Sequence, residues 1–322
     1  MRRAVALAGN GFPAPNPRVG CVLVAEGVVV GEGWHRAAGT PHAEANALAN
    51  AGERARGATV YVTLEPCHHH GRTPPCSRAL VEAGVARVVY AVPDPNPQAR
   101  GGAEFLRSQG VEVVEGVLRP EAEAVNRVWL TAVRRGRPYV CAKAAVTADG
   151  FMARPDGSSK WITGEAARAE GYRLRAEMGT VLVGWQTVVR DDARLTARLP
   201  GVERPVTRIV LDPDGRLTGR EPLFAEPGEV HVLRAEPDEP QPWTARQVLD
   251  GVWRHGVTSL LVEGGPRTLA TFLGEGLVDE LHLFVAPVEF GQGMPWNPAG
   301  VSLPPVSAES SFPPDKRLLY RW

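Results

Sequence analysis

His42, Glu44, Cys67 and Cys76 are the residues of this chain whose types and spacing carry the most chemistry. One imidazole and two thiols make a three-ligand set for zinc, and three protein ligands leave a fourth tetrahedral position open to water. The metal brings the pKa of such a water toward neutrality. Glu44 follows His42 by two residues, near enough to share the site without binding the metal. Its carboxylate suits a proton shuttle, from water to a ring nitrogen and then to a leaving amine. That is the chemistry of hydrolytic deamination of a nucleobase-like ring. A closed structural zinc knuckle is the competing reading. It needs a fourth protein ligand, which His68, His69 or His70 would supply. The open site is preferred because it gives Glu44 a task.

The flanking sequence positions these groups. ATVYVTLEP (58–66) is apolar and β-branched, the pattern of a buried strand. It delivers Cys67 at its carboxyl end, where sites of α/β sheets lie. Pro74-Pro75 then starts a helix through SRALVEAG. Cys76 falls in its first turn, where the helix dipole favours a thiolate. Thr40-Pro41-His42 opens a second helix, AEANALANAGERA. Two helix amino termini therefore converge on the metal. Nucleobase zinc deaminases carry H-x-E…P-C-x-x-C; here Cys67 and Cys76 stand nine positions apart, each preceded by proline.

NPRVGCVLV (16–24), HAE (42–44), YVTLEPCHHHGRTPPC (61–76) and DPNP (94–97) resemble the deaminase half of the bifunctional riboflavin-biosynthesis deaminase/reductase family. GRTPPC at this distance from the first cysteine is the most family-specific piece. His68 departs from the small residue expected there. The resemblance implies substrate contacts at Asn16, His69, Arg72, Asp94 and Asn96. Each has a plainer explanation. Asn16 and Asn96 precede prolines and suit turns, Asp94 can cap a turn, and Arg72 can be a solvated loop charge. As a substrate contact, Arg72 would be a guanidinium near phosphate.

A chain of 322 residues suggests two domains. Its 36 basic and 36 acidic residues cancel, leaving no electrostatic footprint for nucleic acid. Four cysteines, two committed to metal, fit a reducing cytoplasm better than a disulfide scaffold. No segment has the length of a membrane-spanning helix, and the apolar run in MRRAVALAGNG is too short for a signal peptide. In the first half, AVALAG predicts a helix. CVLVAEGVVVGEG predicts a hairpin about Glu26-Gly27. RVVYAV (87–92) and VEVVEGV predict strands, with GAEFLRSQG a helix between them. EAEAVNRVWLTAVRRG predicts one closing helix. A seam at Arg134–Pro138 divides the chain into 1–136 and 137–322. The first half reads as a mixed α/β sheet sandwiched by helices. The family resemblance implies an α/β class, with a cytidine-deaminase-like three-layer αβα domain followed by a dihydrofolate-reductase-like α/β domain.

In the second half, KAAVTADGFMA (143–153), SSKWIT (158–163), TVLVGWQTVVRDDARLT (180–196) and TSLLVEGGPRTLATFL (258–273) alternate strand, loop and helix. Gly264-Gly265 between strand and helix suits close approach of a phosphate to backbone N–H groups, or simply a tight turn. Short strands are expected at EVHVL and, as a final pair, in LHLFVAPVEFGQGMP. In this order the motifs resemble the family's reductase half. That implies nicotinamide positions at Ala145, Trp161, Thr187, Asp191, Gly265, Pro266, Arg267, Thr268, Leu269, Ala270 and Thr271. Substrate positions fall on Ser159, Arg175, Leu195, Arg198 and Glu263. Packing alone would account for Leu195, Ala145 and Trp161, and solvation for the two arginines. A substrate 5-phosphate would employ both arginines. Glu263 ends an apolar strand, an unusual place for an idle carboxylate. The expected cofactors are one zinc per chain and NADPH, the latter by resemblance only. The expected partner is a phosphorylated pyrimidine, with neither nucleic acid nor membrane, in a cytoplasmic homo-oligomer. A single-activity deaminase with a degenerate binding module is the alternative.

Overall fold

The computed structural model describes residues 1–69, 74–200, 204–235, 243–297 and 300–322. It divides into two compact units, Met1–Gly136 and Arg137–Trp322. In the first unit the elements are α1 (Arg2–Ala8), β1 (Gly20–Ala25), β2 (Val28–Trp34), α2 (Ala43–Ala51), β3 (Thr59–Leu64), α3 (Cys76–Glu82), β4 (Arg87–Val92), α4 (Gly102–Ser108), β5 (Glu112–Glu115), α5 (Arg119–Val125) and α6 (Arg127–Arg135). The five strands form one sheet in the order β2-β1-β3-β4-β5. β1 runs antiparallel to β2 and β3, while β3, β4 and β5 are parallel.

The hairpin turns on Glu26 and Gly27, both with positive φ, as a right-twisted two-residue turn requires. α2 buries Ala43, Ala47 and Ala51. It approaches β2 so closely that a Cβ on Gly33 would sit 2.4 Å from the Ala43 carbonyl. Small residues on both sides thus bring the amino end of α2, with His42 as its cap, down onto the sheet. The expected closing helix is two helices, broken at Asn126. This buried side chain exchanges two hydrogen bonds with the Arg18 backbone, each 2.9 Å long. A local helical pattern gave way to a contact 108 residues distant in sequence.

The second unit contains β6 (Tyr139–Thr147), β7 (Phe151–Ala153), α7 (Glu165–Met178), β8 (Thr180–Gly184), α8 (Trp185–Asp191), β9 (Thr207–Leu211), β10 (Val230–Leu233), α9 (Ala245–Arg254), β11 (Ser259–Val262), α10 (Pro266–Gly274), β12 (Glu280–Ala286), β13 (Met294–Pro295), β14 (Ala308–Phe312) and β15 (Asp315–Arg321). Among the described residues eight strands form one sheet, ordered β10-β9-β8-β11-β6-β12-β15-β14. The first six are parallel; β15 and β14 add an antiparallel edge. At the start of this unit Arg137 grips Asp279 through two nitrogens, at 2.8 and 2.7 Å. LHLFVAPVEFGQGMP is not a final strand pair. β12 pairs with β6 and β15, whereas Met294–Pro295 pairs with β7. The antiparallel partner of β12 comes instead from DKRLLYR, an alternating segment absent from the sequence reading.

Candidate active sites

In the first unit β3 ends at Leu64 and delivers Cys67, α3 begins at Cys76, and His42 caps α2. Their donor atoms lie within 4.8 Å of one another. His42 Nδ1 stands 3.3 Å from Cys76 Sγ and 3.7 Å from Cys67 Sγ. A tetrahedral ion with Zn–S near 2.3 Å and Zn–N near 2.0 Å sets a ligand separation of about 3.5 Å. The three residues therefore fit zinc without rearrangement. Cys76 donates to Cys67, which lowers the Cys67 pKa to about 4, with His42 beside it acting the same way. That bond and burial push Cys76 well up. A divalent cation between them favours both as thiolates.

Glu44 lies in the first turn of α2 and is 4% exposed. Burial, then the charge on Cys67, pushes its carboxyl up to about 7. A carboxyl poised near neutrality can both take and give a proton. Glu44, His42 and Cys67 open into a cleft of about 500 Å³ that Asn16, His69, Asp94 and Asn96 also line. Asp94 serves two ends. Its Oδ1 accepts the Asn96 N–H at 2.8 Å, capping the turn, while burial pushes the group up to about 6. Arg72 and His70 lie outside the described residues. The other two histidines part company. His68 stacks on Phe105 and bonds Ser77 Oγ at 2.9 Å, while His69 lines the cleft.

Two cleft residues were missed from sequence. His35 is buried, its Nδ1 3.1 Å from the Pro41 carbonyl and its Nε2 3.1 Å from Asn16 Nδ2. Because a carbonyl only accepts, Nδ1 carries the proton, and neutral Nε2 then accepts from Asn16. That fixes which way the Asn16 amide points. Glu65 accepts from the N–H groups of Asp94, Gly101 and Ala103, at 3.2, 3.2 and 3.0 Å, and so holds the Asp94 loop. A carboxylate between strand and metal cysteine was the available signal for Glu65. Nothing local marked His35.

In the second unit β8 and β11 run parallel and adjacent. The turns that follow them meet where Gly265 N–H donates to Thr187 Oγ1 at 3.2 Å. A Cβ on Gly264 would press within 2.9 Å of Val183 Cα, whereas one on Gly265 would meet only Thr187 Oγ1, at 3.7 Å. Gly264 serves packing, and Gly265 leaves open approach to the start of α10. Leu269 is fully buried in the core, so among 265–271 it can offer only backbone. Trp161 is 69% exposed, which excludes the core-packing explanation. Ser159 Oγ lies 3.2 Å from Asp191 Oδ1. Ala145 shares one face of β6 with Lys143, both half-buried.

Arg175 and Glu263 are not separate groups. Arg175 Nε and Nη2 donate to the two Glu263 oxygens at 2.6 and 2.7 Å, and Nη1 donates to the Thr196 carbonyl at 3.0 Å. Arg175 and Arg198 both stand over the Tyr172 ring, at 5.6 and 5.7 Å. Leu195, beside Thr196, is buried with φ +56°. Lys143 was missed as well. It feels the charges of Glu263 and Arg175, and burial lowers its pKa. A lysine inside the apolar run VCAKAAV was the signal.

Residues 1–92 match the cytidine and deoxycytidylate deaminase zinc-binding region, and residues 138–304 match the RibD C-terminal domain. A riboflavin biosynthesis protein RibD of Aquifex aeolicus is 42% identical over 319 residues, covering 94% of this chain and 90% of that protein. The chain belongs to the RibD family. A solved structure of Acinetobacter baumannii RibD has a TM-score of 0.91 at 38% identity, covering 100% of this chain and 97% of that one. A Thermotoga maritima structure, described as a diaminohydroxyphosphoribosylaminopyrimidine deaminase/5-amino-6-(5-phosphoribosylamino)uracil reductase, has a TM-score of 0.86 at 36% identity, with the same coverage. As a RibD, this chain is a bifunctional enzyme of riboflavin biosynthesis, a deaminase joined to a reductase, with zinc and NADPH as cofactors. A degenerate second half is not favoured.

Proposed function

We propose that the first unit deaminates 2,5-diamino-6-(5-phosphoribosylamino)pyrimidin-4-one, and that the second reduces the ribosyl side chain of the product to ribityl. The observation that carries this reading is the meeting of His42, Cys67 and Cys76 beside buried Glu44 at a cleft wide enough for a pyrimidine. His42, Cys67 and Cys76 would hold the zinc, which when bound would supply a water of lowered pKa as nucleophile. Water adds to the ring carbon bearing the exocyclic amine. Glu44 takes its proton, passes it to the ring nitrogen, then protonates the departing ammonia. Asn16, held by His35, with His69, Asp94 and Asn96 orients the ring, and Arg72 meets the phosphate.

In the second unit NADPH, when bound, supplies a hydride. The turn from Gly265 offers N–H groups to cofactor phosphate, with Pro266, Arg267, Thr268, Leu269, Ala270 and Thr271 continuing that wall. Ala145, Trp161, Thr187 and Asp191 complete it. Ser159, Leu195 and Arg198 receive the substrate together with the Arg175–Glu263 pair. Glu263 keeps lone pairs for sugar hydroxyls after accepting from Arg175. Lys143 gives a proton to the sugar oxygen freed as the ring opens.

The substrate is a small molecule, and the balanced charge of the chain offers nothing to nucleic acid. Among the described residues no helix is long and apolar enough to cross a membrane. A cytoplasmic homo-oligomer is the proposed form, checked by sedimentation. The deciding experiment incubates the enzyme with the phosphoribosylamino-pyrimidinone, with and without NADPH, and follows ammonia and NADPH separately. Ammonia in both arms, with NADPH consumed in one, is the expected result. Ammonia without NADPH consumption would remove the reductase half.

A further inference from the structure

The three metal donors are held unequally. His42 caps α2 and Cys76 opens α3, so both are carried by helices. Cys67 lies past the end of β3, on irregular chain that leads to α3, and owes its position to its neighbours. Its carbonyl accepts twice from Ser77, from the backbone N–H at 3.2 Å and from Oγ at 3.0 Å. Ser77 is fully buried on α3, directly after Cys76. The segments that carry the two cysteines are thus joined through backbone, whether or not a metal joins their sulfurs.

His68, next to Cys67, completes this arrangement. Its Nδ1 stands 2.9 Å from Ser77 Oγ. A hydroxyl has one hydrogen, and that of Ser77 goes to the Cys67 carbonyl, which can only accept. The bond with His68 therefore runs from Nδ1–H to Oγ. The imidazole lies on the Phe105 ring of α4, with centroids 4.4 Å apart and 27° between the planes. The His68 backbone N–H donates to the Ala99 carbonyl at 2.9 Å. α4 is itself pressed onto this stretch, for a Cβ on Gly102 would collide with the Pro66 carbonyl. One side chain thus meets α3 through a hydrogen bond and α4 through a ring face. Among the described residues His68 adds no donor to the group of His42, Cys67 and Cys76. A small residue at this position could not hold Ser77 and cover Phe105 at once.

We propose that His68 is a positioning residue of the deaminase site, bracing Cys67 against α3 and α4 and so slowing release of the metal. The role presupposes zinc on His42, Cys67 and Cys76, as proposed for the first unit. A metal escapes when one ligand moves away from it. Restraint of the backbone comes to His42 and Cys76 from their helices, and the brace gives the same restraint to Cys67. The bond from His68 fixes the hydroxyl that holds the Cys67 carbonyl, and the stack on Phe105 keeps the imidazole from turning away. Partners one step removed from a metal ligand are typically worth about 10–100-fold in metal affinity.

The test mixes the full-length, zinc-loaded protein with excess chromogenic chelator and follows zinc release at neutral pH. His68→Ala should release its zinc about tenfold faster than the wild type. His68→Asn places an amide N–H near the former Nδ1–H and should recover part of that loss. Phe105→Leu removes only the stack and should fall between the wild type and His68→Ala. In a Ser77→Ala background His68→Asn should do no better than His68→Ala, because the acceptor of the bond is gone. Loaded with cobalt, His68→Ala should keep the absorption bands of the wild type, since its ligands are the same. Equal release from the wild type and His68→Ala overturns the brace. So does His68→Asn releasing zinc as fast as His68→Ala with Ser77 present, and so does a shifted cobalt spectrum, which would make His68 a ligand. If His68→Ala folds poorly, His68→Asn and Phe105→Leu decide the matter, and release at the wild-type rate from both overturns the brace. A wild type without zinc removes the metal reading itself, whereas bound zinc with a release rate indifferent to residue 68 removes the brace alone.

Discussion

In the deaminase cleft burial drives Glu44 up to about 7 and Asp94 up to about 6. In the reductase unit Glu263 is also buried, which alone would raise it, yet Arg175 and then Lys143 hold it below the usual carboxylate range. In the mechanism we propose, the first site makes and breaks bonds to hydrogen with its own side chains, a task that suits carboxyls able to change state near neutral pH. The second takes its reactive hydride from a cofactor. There Arg175 and Glu263 are locked in a pair that fixes distances, and Lys143 is the proton donor we propose. Carboxyls left movable mark the first site, and a carboxylate tied to an arginine marks the second.

The largest test of this contrast is Glu44→Gln. It should retain the zinc on His42, Cys67 and Cys76 but lose about 10²–10⁴-fold in ammonia release. NADPH oxidation with pre-deaminated substrate should not change. Near-normal ammonia release would make Glu44 a helix residue like any other and erase the contrast. Next comes Arg175→Met, which strands a buried carboxylate on Glu263. Removing one partner of a buried pair costs about 3–5 kcal/mol. Chemical unfolding of the second unit should register this while deamination stays intact. A negligible loss would show the pair to be loose.

Asp94→Asn tests the other half of the comparison by pH. The native pKa of about 6 lies above the ordinary value of 3.8. Between those values the folded state binds more protons than the unfolded state, so stability declines as pH rises through the interval. The cost is absent below about pH 4 and complete above about pH 6. At pH 8 the variant should gain at most about 3 kcal/mol, with no gain at pH 4 and weaker deamination. Equal melting shifts at both pH values would refute a charge effect. The smallest effect belongs to Gly265→Val. The fold has room for a Cβ at this position, but the approach of a cofactor phosphate would be blocked. Losing one hydrogen bond to a charged group costs about 1.5–3 kcal/mol. The apparent constant for NADPH should rise about tenfold or more, with ammonia release untouched. An unchanged constant would move the phosphate elsewhere.

The two sites also differed in how far the sequence displayed them. The proposed zinc ligands and Glu44 sit at element ends marked by prolines and by an alanine-rich helix, so short patterns were enough to single them out. His35 and Glu65 stayed hidden because their partners, Asn16 and Asp94, stand 19 and 29 residues away. The pairing of Arg175 with Glu263 spans 88 residues, and only the crossing of parallel strands brings it about. The same holds for the fold. The Glu26-Gly27 hairpin is a local event and was legible. The break at Asn126 answers to distant backbone, and periodicity does not record it. The hairpin of β14 and β15 is local, with Phe312 opposite Asp315, and its alternation went unread.

Asn126 also has a consequence for the order of events on the ribosome. Every proposed zinc donor lies within the first 76 residues, and β3 and β4, which support them, are complete at Val92. The backbone of Arg18, two residues from Asn16, finds its partner only once residue 126 has emerged. The residues proposed to meet the metal are thus all made before the last residue that lines the cleft, Trp129.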